Sequence, residues 1–206
     1  MGKPFFSVIV PAHNSAEYIR KGLHSIRQQT FRNFELIVVA DNCTDNTANV
    51  ALGYSDKLLI TSHGHDGLAR NAGLDASEGE WILFMDDDDW WLHEFVFQQI
   101  ADMAGKHNED ILLFSFIWKN REYFTPTPTH TSVAVWSKCW RREIIGDTRF
   151  PKVDWNTDGR FHRKIWEKGP KCYYWNMPMY YYNFLRPGSQ TWEMQRKVLK
   201  GGGADG

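Results

Sequence analysis

Residues 82–92 read ILFMDDDDWWL: an apolar run, then four consecutive aspartates, then two tryptophans. Adjacent carboxylates repel one another, so a chain that gathers them needs a positive partner. Read as the end of an extended run, Asp86 and Asp88 point the same way, because alternate side chains of a strand share a face. Two carboxylates on one face offer a hard oxygen site for Mg²⁺ or Mn²⁺, and Mg²⁺ in particular is bound through one or two carboxylates plus substrate phosphates. The competing reading is an acidic helix start, with Asp88 or Asp89 capping a helix near Trp90, where negative charge is favoured. The stretch alone leaves both open. An EF-hand loop is excluded, since neither its glycine nor its final glutamate falls in place. His63 and His65 form an HxH pair without a third ligand at zinc spacing and read as loop residues.

The elements that must position these groups alternate between two periodicities. Residues 5–10 (FFSVIV) form a β-rich run ended by Pro11. Ile19, Leu23 and Ile26 then mark one face of a helix, with Asn14 and Glu17 placed for a capping box. Residues 34–40 and 57–61 read as buried strands. Residues 65–76 read as a helix with Leu68, Ala72 and Ala76 on its apolar face. Residues 81–85 form a fourth strand, and Val96, Ile100 and Met103 mark the next helix. Continuous apolar strands alternating with helices predict an α/β fold with a mostly parallel, doubly covered sheet. Ligands of such sheets bind beyond the carboxyl ends of the strands. Residues 11–14, 41–47 and 86–89 are therefore the groups that matter. After Asp110 the pattern is irregular and aromatic, with seven of the ten tryptophans. Residues 125–130 (TPTPTH) read as a loop, 160–166 as a short helix, and 171–184 as one or two extended segments. No repeat or linker divides the chain. Residues 1–200 are expected to form a single domain with functional halves at 1–107 and 108–200, and 201–206 a flexible tail.

Bulk properties narrow the function. A chain of 206 residues fits one domain with a sizeable core. Lys and Arg total 24 against 25 Asp and Glu, a balance without the basic excess of a nucleic-acid-binding protein. Cys43, Cys139 and Cys172 are odd in number and contain no CxxC, which suggests neither a disulfide framework nor a zinc ribbon. The first apolar run is too short for a signal peptide, and the longest, residues 111–118, is too short to span a bilayer. These features predict a cytoplasmic protein. The run WSKCWRRE at residues 136–143 reads either as a solvated helix face or as a peripheral contact with the inner face of a membrane.

Two stretches, FFSVIVPAHNSAEYIRKGLHSIRQQTFRNFELIVVADNCTDNT and LARNAGLDASEGEWILFMDDDDWW, resemble the nucleotide-binding half of the inverting family 2 glycosyltransferases, which have the GT-A fold. The match covers roughly half the chain in order and spacing. The resemblance implies a nucleotide-sugar donor, with UDP favoured by family habit, a Mn²⁺ or Mg²⁺ cofactor, and a glycan or lipid-linked acceptor. In ADNCTD, Asp41 matches the aspartate that accepts a hydrogen bond from the base, while Ala40 and Asn42 depart from the family's aspartate and glycine. A base N–H suits an ionised carboxylate. Pro11, His13 and Asn14 belong to the nucleotide side; His13 reads either as packing on the base or as a surface histidine of the loop. Arg70 matches an arginine near the base and diphosphate; its bland reading is a salt bridge on an exposed helix face. Gly67 and Gly73 suggest close backbone approach. DDDD matches DxDD: Asp86 orients ribose or metal-bound water, Asp87 holds the variable position on the nucleotide side, Asp88 ligates the metal, and Asp89 lies near the donor sugar.

The resemblance also implies an inverting transfer, in which an aspartate of the second half deprotonates the acceptor hydroxyl. RFPKVDWNTDGRFHRKIW resembles that region. Asp158 falls at the base position, Thr157 replaces a glutamate, Asp154 competes, and the bland reading of Asp158 is a helix cap. YYYNFLRPGSQTW resembles the closing segment, which implies Arg186 and Ser189 near the diphosphate or in a lid; the bland reading of Arg186 is a loop arginine on the surface. Trp90, Trp91 and Trp155 are candidates for stacking on acceptor sugars. Two other functions stand beside transfer: an inactive relative that binds a nucleotide or glycan, and a sugar-nucleotide pyrophosphorylase, which lacks its glycine-rich loop here.

Overall fold

The computed structural model describes residues 2–118, 122–153 and 155–183. Arg186, Ser189, Asp154 and the tail lie outside them. The strands are β1 (Phe6–Ala12), β2 (Phe34–Asp41), β3 (Lys57–Thr61), β4 (Trp81–Phe84), β5 (Trp90–Trp91), β6 (Ile111–Trp118), β7 (Glu122–Phe124), β8 (Lys138–Arg141) and β9 (Cys172–Tyr181). The helices are α1 (Ile19–Arg27), α2 (Thr47–Leu52), α3 (Asp66–Ala76), α4 (Val96–Met103), α5 (Arg142–Ile145) and α6 (Thr157–Trp166), and a 3₁₀ turn covers Val135–Ser137. All the strands join one sheet in the order β3-β2-β1-β4-β8-β6-β9-β5, with β7 paired to β6. The first four are mutually parallel. β8 enters antiparallel to β4 and joins the second half to the first. The short β5, from the first half, pairs with β9 from the second. The two halves are thus laced together twice.

The near-continuous apolar strands are explained by cover on both faces. Val8, Val10, Leu36, Val38, Leu83 and Met85 pack with Ile19, Leu23 and Ile26 of α1 and with Val96, Phe97 and Ile100 of α4. The alternate residues Ile9, Ile82 and Phe84 pack with Leu74, Phe161 and Ile165 of α3 and α6. Each such side chain taken out of water contributes roughly 1.5–3 kcal/mol.

Several local expectations differ from the structure. β1 runs through Pro11 to Ala12. Ile9 receives the Met85 amide from the β4 side, and Pro11, two residues on, faces the same side after β4 has ended. Its missing N–H therefore removes no ladder bond. The capping box does not form: α1 begins at Ile19 without a side-chain cap, and Asn14 is committed elsewhere. On α3 the fully buried face is Ala69, Arg70, Gly73 and Leu74, with Leu68, Ala72 and Ala76 only half-buried. The run 136–143 is not a single helix face: it ends the 3₁₀ turn, forms β8 and opens α5, with Trp136, Lys138, Cys139 and Trp140 buried. No helix among the described residues is long and apolar enough to cross a membrane.

The aspartate run owes its place to a close helix approach. A Cβ added to Gly22 of α1 would lie 2.5 Å from the Asp89 carbonyl oxygen and 2.8 Å from Met85 Cε. Ser25, one turn on, accepts from the Trp91 amide at 3.1 Å. Gly22→Ala is expected to lower stability by about 1–2 kcal/mol in urea unfolding, because overpacking against backbone outweighs the roughly 1 kcal/mol gain in helix propensity. Unchanged or increased stability would show that α1 has room to move.

Candidate active site

The loops after β1 and β2 are cross-tied. Asn14, in the left-handed region at φ 46°, accepts from the Thr44 amide at 2.8 Å, the Thr44 hydroxyl at 3.2 Å and the Asp45 amide at 3.3 Å. The Ser15 amide donates to Thr47 Oγ1 at 2.7 Å. Asn42 adopts φ 52°, the left-handed turn that its place in the motif requires. His13 Nδ1 lies 2.8 Å from the Asp41 carbonyl. A carbonyl only accepts, so Nδ1 carries the proton and Nε2 is left as acceptor. The His13 amide reaches Asp87 Oδ2 at 3.1 Å, which joins the β1 loop to the aspartate run.

Asp41 is buried and organises the β3–α3 connection. Its Oδ1 accepts from Thr61 Oγ1 and the His63 amide, both at 2.7 Å, and Oδ2 from the His65 amide at 3.0 Å. Burial works to raise its carboxyl, but these hydrogen bonds hold it below the usual carboxylate range. A carboxylate has about four acceptor sites, so the described residues leave one unfilled, on Oδ2. His65 caps α3 through the Gly67 amide, and its Nε2 donates to the Val153 carbonyl at 2.7 Å. The HxH histidines are loop residues, and His65 pins that loop to the second half.

The aspartates do not continue the strand. β4 stops at Phe84, and the Asp89 amide returns to the Asp86 carbonyl at 3.2 Å, closing a tight turn. Asp86 and Asp88 are therefore not alternate residues of an extended chain, although their charges still sense each other. Asp89 turns inward and is 1% exposed. It accepts from Tyr180 Oη at 2.7 Å and from the Asn183 amide at 2.8 Å. Tyr180 Oη also accepts the Asp86 amide at 3.1 Å. With both carboxylate oxygens engaged and almost no surface, Asp89 offers no face to a donor sugar, and that expectation is corrected. It caps no helix, since β5 follows it and Phe95 precedes α4, and burial together with Asp86 and Asp88 raises its carboxyl well above the usual range.

Arg70 is where the two halves meet. It is 5% exposed, not a residue of an open helix face. Its Nη1 donates to Asp66 Oδ2 at 2.7 Å and its Nη2 to Asp86 Oδ1 at 2.7 Å, and Asp158 Oδ1 lies 3.7 Å from Nη1. Burial opposes the guanidinium's charge, but Asp158, Asp86 and Asp66 together raise its pKa. Burial pushes the Asp86 carboxyl up to about 6, with Asp158 and Asp88 adding and Arg70 opposing. Asp158 sits in the first turn of α6, one residue inside the helix, so it is not the cap; the residue before the helix, Asn156, is. Asp158 Oδ2 accepts from the Val135 amide at 3.1 Å, and Oδ1 has no hydrogen-bond donor among the described residues.

The tryptophans divide. Trp91 is buried against Phe97, Phe114 and Tyr180. Trp90 stacks on Tyr181 at 4.1 Å and carries Lys21 Nζ 2.9 Å from its ring centroid. The two neighbours cannot share one face at those distances, so both faces are covered. Neither tryptophan can stack on an acceptor sugar as expected. Trp155 is 65% exposed. The strand ends and the start of α6 thus bring Asp86 and Asp158 together on Arg70, with Asp66 beside them, while Asp89, Trp90 and Trp91 turn away.

Three residues at the site escape a reading of the sequence. Asp66 was legible in principle, as an i,i+4 partner of Arg70. Tyr180 carries no local signal. Lys138 looked solvated, yet it is fully buried and donates to the Ser132 and Ala134 carbonyls at 2.6 and 2.7 Å. Burial pushes its ammonium down to about 7, with the charge of Asp158 opposing. Beside it His162 stacks on Trp166 at 3.9 Å, and burial together with Lys138 pushes the imidazole down to about 4.

No group of three or more His, Cys, Asp or Glu side chains among the described residues converges as a metal site. The donors that Asp86 and Asp88 present are nevertheless the hard oxygens that Mg²⁺ or Mn²⁺ takes. Such an ion fits there if a ligand supplies the remaining oxygens, as a diphosphate does.

Tyr180→Phe, which strips a donor from Asp89 and an acceptor from the Asp86 amide, is expected to cost about 1–3 kcal/mol in urea unfolding. A change within about 0.5 kcal/mol would mean the hydroxyl does not hold the turn. His162 yields a pH dependence. Its folded pKa, about 4, lies below the roughly 6.5 of an unfolded histidine, so the unfolded chain binds the extra proton between those values and stability is lost as pH falls through them. His162→Phe should narrow that loss, so its stability relative to the parent improves from pH 6.5 to 4; a constant offset across that window refutes the assignment.

The comparisons agree with this geometry. Glycosyltransferase GlyA of Streptococcus pneumoniae is 28% identical over 89% of this chain and 31% of its own length. Poly(ribitol-phosphate) beta-N-acetylglucosaminyltransferase TarS of Staphylococcus aureus is 39% identical over 52% of this chain and 20% of its own. The chain thus spans less than a third of the length of either relative. Among solved structures, S. aureus TarS in complex with UDP-GlcNAc superposes with a TM-score of 0.78 at 26% identity, covering 90% of this chain and 60% of that one. Such neighbours have the GT-A architecture that the family resemblance implies, and the mostly parallel sheet is the one expected from the strand pattern. A family model described as glycosyl transferase family 2 matches residues 7–179, and the chain belongs to that family.

Proposed function

We propose that this chain moves a sugar from a nucleotide-sugar, a UDP-sugar first of all, to a hydroxyl of a glycan or lipid-linked acceptor, with inversion and with Mn²⁺ or Mg²⁺. The observation that carries this reading is the meeting of Asp86, at the end of β4, with Asp158, at the start of α6, on one buried arginine. A transfer with inversion needs diphosphate recognition on one side of the anomeric carbon and a base on the other. Asp158 accepts the proton of the acceptor hydroxyl as it attacks. Asp86 and Asp88 would hold the ion, which would supply Lewis-acid charge to the diphosphate. Arg70 offsets the negative charge that accumulates between them. The free acceptor site on Asp41 Oδ2 takes the N–H of the base, and His13 lines that end of the cleft with Pro11 and Asn14. The UDP-GlcNAc complex of TarS supports a uridine donor.

Neither departure from the family pattern argues for an inactive relative. Ala40 is fully buried in β2, and Thr157 packs its methyl toward Gly67 and donates to the Val153 carbonyl. Both are packing positions.

Ligand binding to the native state raises apparent stability. In a thermal-shift panel of UDP-, dTDP- and GDP-sugars, the largest shift is expected with UDP-sugars and only with Mn²⁺ or Mg²⁺ present; no shift with any nucleotide would sink the reading. Asp158→Asn should bind UDP normally and lose transfer by about 10²–10⁴-fold. Near-normal turnover would remove Asp158 as the base.

A further inference from the structure

We infer that the peptide group between Ala134 and Val135 positions the Asp158 carboxylate, and that the buried Lys138 side chain holds that peptide in place. The inference rests on the reading of Asp158 as the base. Two hydrogen bonds described above belong to one peptide: its carbonyl, from Ala134, accepts from Lys138 Nζ at 2.7 Å, and its N–H, from Val135, donates to Asp158 Oδ2 at 3.1 Å. The backbone contains no cis bond, so the C=O and N–H of that unit point in opposite directions. The peptide therefore lies between an ammonium at its oxygen end and a carboxylate at its hydrogen end, the orientation its own dipole favours.

Lys138 is built for this and little else. Its donors go to the Ser132 carbonyl, the Ala134 carbonyl and Ser137 Oγ at 2.6, 2.7 and 3.2 Å, which uses all three N–H groups of an ammonium. It is fully buried, as is Val135, and Ser137 is 3% exposed, so the segment has little freedom to drift. A desolvated ammonium is costly and needs a compensating charge. The carboxylate whose charge favours it is Asp158. Other titratable neighbours are Arg70 and Asp86 on the Asp158 side, and His162 and Cys172 on the Lys138 side. Asp158 is thereby held on both oxygens: Oδ2 by the peptide, and Oδ1, which is buried without a hydrogen-bond donor among the described residues, beside Arg70 Nη1 at 3.7 Å. Lys138 acts only through this peptide and is a positioning residue.

Val135→Pro tests the device with one atom group removed. Val135 opens the 3₁₀ turn, where proline is favoured, and Ala134 before it already has φ −58° and ψ 128°, a conformation proline allows. The substitution deletes the N–H and keeps the carbonyl; Lys138→Met does the reverse, removing the ammonium and keeping the N–H. Release of UDP from a UDP-sugar, with water standing in for the acceptor hydroxyl, gives kcat and KM, and calorimetric titration of UDP with Mn²⁺ gives affinity. Both variants should lose kcat by about tenfold or more, with donor KM and UDP affinity within about twofold of the parent. If both turn over normally while Asp158→Asn is inactive, the positioning role is wrong and the base reading stands. Normal turnover by Asp158→Asn brings down both. Loss of UDP affinity along with kcat in both variants would mark the peptide as general scaffolding and overturn the inference.

Discussion

Burying one guanidinium among three carboxylates is the constraint on which the rest of this structure turns. Arg70 is nearly inaccessible, and Asp66, Asp86 and Asp158 all lie within 4 Å of it. Removing such a charge from water costs several kcal/mol, recovered only when partners are close and well aligned. The partners come from α3, from the turn after β4 and from α6, so the condition is met only if both halves of the chain are docked. The balance is also uneven. One positive charge faces three negative ones, with Asp88 nearby. Burial pushes Asp86 up to about 6, against Arg70, and Asp158 and Asp88 add to the rise. A site left with surplus negative charge is suited to a further cation, which is the electrostatic case for an ion beside the turn.

For that cluster to form, the backbone must come unusually close on both faces of the sheet. On one face, α3 lies so near β1 that a Cβ on Gly73 would fall 2.4 Å from Ile9 Cγ2, and Gly67 meets Thr157 of α6 just as tightly. These two contacts set how deep Arg70 sits and how near α6 approaches. On the other face, Gly22 lets α1 rest on the carbonyl of Asp89. The glycines leave room for protein, not for a ligand's phosphates. Ala40 and Thr157 likewise lie among packed neighbours.

The first half was largely legible. Its strands are covered on both faces, so apolar continuity, strand ends and helix spacing all carry information. Asp41, Arg70 and Asp86 fall where the pattern put them, at the carboxyl ends of β2 and β4 and on the helix between. What escaped was the bend after Phe84. A run of four aspartates gives no local sign that the last turns inward, because its partners, Tyr180 and the Asn183 amide, lie more than ninety residues away. Lys138 failed for the same reason. Side by side with Arg141 and Arg142, it looked like part of a charged surface. β8 is instead covered on both faces, so Lys138 is buried with Cys139 and Trp140 and meets carbonyls that no sequence pattern advertises. The Asn14–Glu17 capping box was a true motif in composition, but the loop after β2 offered Asn14 three donors at once and won.

The aromatic residues bear on how an acceptor is held. A sugar ring packs on an indole only where one face of the indole is free. Trp91 has spent both faces in the core, and Trp90 lies between Tyr181 and the Lys21 ammonium, a pairing that draws on the same quadrupole a ligand cation uses. The tryptophans beside the aspartate turn therefore stiffen the link between β5 and β9, and through it the position of Tyr180 and the turn itself. Of the three candidates, only Trp155, largely exposed and three residues before Asp158, keeps a surface for a ring to meet. On the proposed function, Trp155 therefore gives an acceptor sugar a surface on the α6 side, next to the proposed base.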